Sequence, residues 1–180
     1  MTMDLGPTAQ KYVLHWGEMG TRWGVNRTVA QIQALLFLAD QPMHAEEITE
    51  TLNVARSNVS NSLKELQSWG LVRIVHLAGD RRDHFVALQD VWEIFRAIVE
   101  ERKRREIDPT LTVLRDCASE ARHDNSLSKA AQGRMDEALD FLQMLTASYD
   151  DYKHLPPATL KRFLKMGGKV ARLLSTDDKT

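Results

Sequence analysis

A single cysteine, Cys117, stands among 180 residues. It excludes an internal disulfide and leaves the thiol either reduced or paired with a second chain. Proline is also scarce, five residues in all, and with glycine it falls mostly between the hydrophobic periods, so helices run uninterrupted. No stretch approaches 18 apolar residues, which excludes a membrane-spanning helix. Residues 1–6 lack the basic start and apolar stretch of a secretory leader, and the expected location is the cytoplasm. Charge of neither sign is in excess: 24 Lys and Arg face 25 Asp and Glu, for a net charge of -1. Phosphate affinity therefore depends on where the cations sit.

Catalytic and metal-binding patterns are missing as well. The histidines (His15, His44, His76, His84, His123, His154) are scattered, with no His-Glu-x-x-His pair and one thiol to join them. Gly167-Gly168 stands alone, far from a phosphate-cradling loop. No Ser, His and Asp order rises above chance. The expectation is a protein without enzymatic activity, metal or cofactor.

What is present is a globular composition, 43% hydrophobic and 27% charged, in a chain long enough to bury about 70% of its unfolded surface. The periodicity is helical over most of it. Tyr12, Val13, Trp16, Met19, Gly20 and Trp23 mark one stripe on a first helix near 5–21. Asn26 or Thr28 caps a second, with Val29, Ile32, Leu35, Leu36 and Leu38 inside, stopped by Gln41-Pro42. Two short helices then meet at a tight turn: Ala45, Ile48 and Leu52 on one, Val59, Leu63 and Leu66 on the other. The glycine of Trp69-Gly70-Leu71 suits a left-handed cap. Residues 71–77 and 84–88 alternate as a two-stranded hairpin tipped by Ala78-Gly79-Asp80-Arg81-Arg82-Asp83.

From Asp90 helices return. Val91, Ile94, Phe95, Ile98 and Val99 form a stripe ending in four cations at 102–105. Asp108-Pro109 is expected to open another helix, with Leu111, Leu114 and Ala118 inside. After a break at 123–126, Met135, Leu139, Leu142, Met144 and Leu145 follow on a long helix. Leu155-Pro156-Pro157 precedes a last one with Leu160, Phe163, Leu164 and Leu173. Helix, turn, helix, hairpin is the order of a winged helix-turn-helix, so the fold expected is mainly α with a small β-hairpin wing.

The second short helix carries the chemistry. B-DNA's major groove admits one α-helix, and base edges are read by small polar and cationic side chains on its exposed face. Arg56, Ser57, Asn58, Ser60, Asn61 and Lys64 supply that set. Arg81 and Arg82 at the hairpin tip can reach phosphates or the narrow minor groove, with Asp80 or Asp83 orienting one of them by a salt bridge. A polar solvated face is the plain alternative for the helix alone, and the arginine-tipped hairpin behind it favours DNA.

These stretches, 45–48, Ala55-Arg56-Ser57-Asn58-Val59-Ser60-Asn61, Trp69-Gly70-Leu71-Val72 and Gly79-Asp80-Arg81-Arg82-Asp83-His84-Phe85, resemble the MarR-type winged helix-turn-helix regulators. Within them the similarity is to the GbsR branch and extends through Asp90-Val91-Trp92-Glu93-Ile94-Phe95. The resemblance implies a homodimeric transcription factor with 56–64 as recognition helix and Arg81 and Arg82 at the wing tip. Ala55 departs from the capping Ser or Thr of many MarR-type proteins, and Gln89-Asp90 from their usual Thr.

A twofold pair of winged domains reaches major-groove faces about 34 Å apart and must be held at that spacing. The stripes Tyr12, Val13, Trp16, then Leu139, Leu142, Leu145, Leu160, Phe163 and Leu164 are assigned to a helical dimer interface, against packing within one chain. The expected organisation is a dimerisation helix at 1–24, the winged domain at 25–89, a helical dimerisation region at 90–174 and a polar tail at 175–180. Residues 153–172 hold six cations and no acid; neutralisation by the acidic helix before it or a second phosphate contact both fit. Trp16, Trp23, Trp69 and Trp92 are candidates for a small-molecule effector, since aromatic faces bind quaternary ammonium groups; core packing is the alternative. The reading is a repressor on a palindromic operator, and its rival is a winged-helix module that binds protein.

Overall fold

The computed structural model describes residues 5–174. Residues 1–4 and the expected tail at 175–180 lie outside the described residues, as do the side chains of Leu164 and of 168–174, Lys169, Arg172 and Leu173 among them. The chain divides into two compact units, 1–101 and 102–180.

The first unit is built around α2 (Arg27–Leu38), which Asn26 caps by accepting from the Thr28 amide at 2.8 Å. Every residue of 29–36 is buried, so α2 is a central rod, and burial of each of its aliphatic side chains is worth about 1.5 to 3 kcal/mol. Helix α1 (Pro7–Arg22) lies on it through two glycines. A Cβ on Gly20 would stand 2.5 Å from the Ala30 Cβ, and one on Gly17 2.6 Å from the Gln31 Cγ. Val13 is 1% exposed in the core of this unit, with Tyr12 and Trp16 packed against it. The first stripe, expected to face a second chain, is therefore used within this unit.

Next comes a strand that periodicity did not reveal. Strand β1 (Met43–His44) pairs antiparallel with β3 (His84–Ala87), which also pairs with β2 (Val72–Val75). The expected two-stranded hairpin is thus part of a three-stranded sheet ordered β1-β3-β2. Two residues are too few for an alternation to register.

His44 also starts α3 (Ala45–Leu52): its amide donates to the Glu47 carboxylate at 3.0 Å, one half of a capping box, and the Glu47 amide lies 3.3 Å from the His44 Nδ1. Asn53 turns the chain in the left-handed region, φ +51°, into α4 (Arg56–Ser68), whose N-cap Ala55 offers no side-chain bond. Gly70, φ +70°, ends it as expected. Ile48, Val59, Leu63, Leu66, Leu71, Val72 and Phe85 close over α2, and Ile94 of α5 (Val91–Arg102) joins them.

In the second unit a five-residue π turn, Lys103–Ile107, runs straight into α6 (Asp108–Ala121), and Ile107 keeps helical angles, φ −82° and ψ −49°. Asp108-Pro109 stands in the first turn of α6 as expected, although the chain enters it from the π turn without a break. The widened π turn just before Pro109 accommodates the hydrogen bond its missing N–H cannot make. Helix α7 (Lys129–Tyr152), capped by Ser128, packs on α6, where the Gln132 amide donates to the Ala121 carbonyl at 2.8 Å. No residue of α7 is buried, and Phe141, Met144 and Leu145 are more than half exposed. Tyr152 meets Phe163 of α8 (Pro157–Leu174) with ring centroids 4.7 Å apart. Of the cations at 153–172, Lys153 is ion-paired with Asp150 of α7 at 2.9 Å, and among the described residues no ion pair of Lys161, Arg162 or Lys165 is formed.

Candidate nucleic-acid interface

Helix α4 is divided lengthwise. Val59, Leu63 and Leu66 are at most 2% exposed, whereas Arg56, Ser57, Asn58, Asn61 and Lys64 are exposed and Ser60 half-buried. The apolar half holds the helix rigidly to α2, and the polar half keeps its hydrogen-bonding groups open to a ligand. Arg56 is ion-paired with Glu46 of α3. The Glu46 carboxyl is held below its usual range by a backbone amide at the start of α3 and by the Arg56 guanidinium.

The wing rises beside this face. In the hairpin Val72 pairs with Ala87 and Val75 with His84, and Gly79, φ +84°, turns the tip. Asp80 accepts from Arg82 Nε at 2.9 Å and from Nη2 at 2.5 Å, as well as from the Arg82 amide at 3.0 Å. The sequence left Asp80 and Asp83 both open as partners. Asp80 takes the role, while Asp83 lies 3.4 Å from His76 Nε2. Hydrogen bonds from Arg82 hold the Asp80 carboxyl well below the usual carboxylate range, and Asp80 in turn raises the Arg82 guanidinium. Arg81 is exposed beside them. Between α4 and the wing lies a cleft of about 400 Å³ whose lining includes Arg56, Ser60, Lys64, Arg82, Ile74 and Phe85. All the predicted residues but Ser60 are thus exposed, and Arg56, Ser60, Lys64 and Arg82 share one cleft.

The sequence reading passed over His44, Glu46 and His84. His44 and His84 sit opposite each other in the β1–β3 register, with ring centroids 5.5 Å apart at 84°. Arg82 Nη1 lies 2.8 Å from His44 Nε2, and His84 Nδ1 donates to the Arg82 carbonyl at 3.0 Å. One signal was present, a His at the cap position with a Glu three residues on, as in a capping box.

Two of the four tryptophans are in ring contact with each other. Trp16 stacks on Tyr12 at 5.6 Å and meets Trp23 edge-on at 6.4 Å. Trp69 packs against the core, and half-buried Trp92 donates its amide to Asp90, which caps α5. Among the described residues neither Trp69 nor Trp92 makes a ring contact. No group of three or more His, Cys, Asp or Glu able to hold a metal occurs among them either.

A polar helix held by its apolar half and flanked by an arginine-tipped hairpin defines a winged helix-turn-helix of the DNA-binding class. Comparison with known proteins agrees. The MarR family model matches residues 23–83. The HTH-type transcriptional repressor GbsR of Bacillus subtilis (strain 168) is 24% identical over 136 residues, 74% of this chain and 75% of that protein. The crystal structure of a transcriptional regulator covers 82% of this chain and 96% of its own, with 21% identity and a TM-score of 0.61, and shares the fold. The match to the MarR family model thus falls on the winged helix-turn-helix, residues 23–83, and the relatives compared are named as transcriptional regulators.

Proposed function

We propose that this DNA-binding regulator is a repressor that occupies an approximately palindromic operator as a homodimer. Each α4 enters a major groove, and each wing sets Arg81 and Arg82 against phosphates or the adjoining minor groove. The observation that carries this reading is the division of α4: its polar face is uncovered along the helix, beside an arginine whose orientation is already fixed. Ser57 and Asn61 are the base readers, with Arg56, Asn58, Ser60 and Lys64 around them. The exposed Phe141, Met144 and Leu145 of α7 and Phe163 and Met166 of α8 supply apolar surface for the second copy.

Among the described residues no helix is long and apolar enough to cross a membrane, and we place the protein in the cytoplasm with its DNA. Control by a small-molecule effector belongs to the same proposal, and Trp16 and Trp23 with Tyr12 are its aromatic candidates. Selection of bound sites from a random duplex pool tests the reading. It predicts a site with twofold symmetry, and binding weakened by Ser57→Ala, Asn61→Ala, Arg81→Ala and Arg82→Ala. Recovery of no sequence preference, or wild-type shifts with all four variants, assigns the winged unit to a protein partner instead.

A further inference from the structure

The pairing of β1 with β3 brings His44 to the foot of the wing, where it is buried. Arg82 carries five N–H donors. Nε–H and one Nη2–H go to Asp80, and one Nη1–H points at His44 Nε2. Two remain for a ligand. A guanidinium only donates, so in this contact Nε2 of His44 accepts and the ring proton sits on Nδ1, which therefore does not accept from the Glu47 amide 3.3 Å away. Nδ1–H donates to Glu46 Oε2 at 3.0 Å, and Glu46 pairs with Arg56, the first residue of α4. One line of polar contacts thus runs from the recognition helix through α3 to the wing tip.

Asp80 and His44 hold Arg82 in different ways. Asp80 lies two residues from Arg82 on the same tip, so that pair fixes the guanidinium relative to the loop and moves with it. His44 belongs to the body of the domain, 38 residues away, and ties the tip to the helices beneath. We propose that His44 is a positioning residue for DNA binding: it sets the plane of the Arg82 guanidinium relative to α4, so that the two unused N–H groups face the duplex before it arrives. This rests on the reading that Arg82 touches DNA. Ordering a free arginine on association costs affinity, and prior attachment to His44 removes part of that cost.

The test is a double-mutant cycle in the full chain with His44→Ser, Arg82→Ala and the pair, measuring affinity for a selected duplex by fluorescence anisotropy. Serine is a preferred N-cap, so α3 keeps its start, and a melting curve confirms the fold. Freeing one arginine corresponds to about a 2- to 12-fold loss per half-site. His44→Ser is expected to lose that factor in the wild-type background and nothing further beside Arg82→Ala. His44→Gln, which retains an acceptor of similar reach, is expected to recover part of the loss. An equal loss in both backgrounds, or none in either, overturns the assignment of His44. Wild-type affinity of Arg82→Ala alone overturns the DNA reading of the wing beneath it. A second measurement needs no DNA: the Arg82 Nη resonances are expected to be resolved in wild type and averaged in His44→Ser, and averaging in both contradicts the contact.

Discussion

Replacement of Gly20 by alanine attacks the seat of α1 on α2. The added Cβ would lie 2.5 Å from the Ala30 Cβ, against 3.4 to 4 Å for ordinary contact, so the helices must part by about 1 Å at that crossing. Ala30 cannot swing aside, because its Cβ is fixed to the backbone of the buried α2 rod. Separation loosens the packing of Val13 in the core, and overpacking of this kind costs about 1 to 3 kcal/mol. In a unit of about 100 residues each kcal/mol lowers the Tm by about 4 to 8 °C. Gly133→Ala is the control: a Cβ there meets nothing within 4 Å on exposed helix α7, and alanine is expected to stabilise by up to about 1 kcal/mol. Circular dichroism melts of both variants decide the matter. Wild-type melting of Gly20→Ala would show that α1 does not sit where the glycines place it.

Other expectations concern the reading surface. Asn61→Ala and Ser57→Ala should each cost about 1 to 3 kcal/mol of specific binding and blur discrimination at particular base pairs, read by competition with single-base variants of the site. Lys64→Ala should weaken binding evenly across sequences and reduce the slope of log K against log salt by about 0.9 for each phosphate no longer neutralised, measured by a salt titration. The depressed Asp80 carboxyl should remain ionised as pH falls through the ordinary aspartate range, so the Arg82 clamp is present at neutral pH and lost only in stronger acid. A carbon-13 NMR titration of the side-chain carboxyls checks this, and an Asp80 midpoint at the usual value refutes the clamp in solution.

The elements legible in the residues were those whose cause is local. Gly70 and Gly79 have the positive φ that turns demand, Asn26 caps α2, and the Val59, Leu63, Leu66 spacing identified the buried half of α4 and hence its readable half. What escaped depends on partners distant in the chain. β1 is two residues long, and only pairing with β3, some 40 residues later, makes it a strand. His44 looked like one scattered histidine because its approach to Arg82 is made by that pairing. The Tyr12, Val13, Trp16 stripe showed an apolar face but not what covers it; Gly17 and Gly20, which let α2 approach, decide that. Proline at 109 marked the first turn of α6 but not the π turn through which the chain enters it without a break.

Hydroxyl-radical footprinting on a duplex selected by the wild-type protein tests most directly whether α4 and the wing are the reading head. The account predicts two protected patches related by twofold symmetry, with centres about one helical turn apart. It also predicts minor-groove protection beside each patch that vanishes with Arg82→Ala while the central pattern persists. Protection without symmetry, or a pattern indifferent to changes in both α4 and the wing tip, would contradict it.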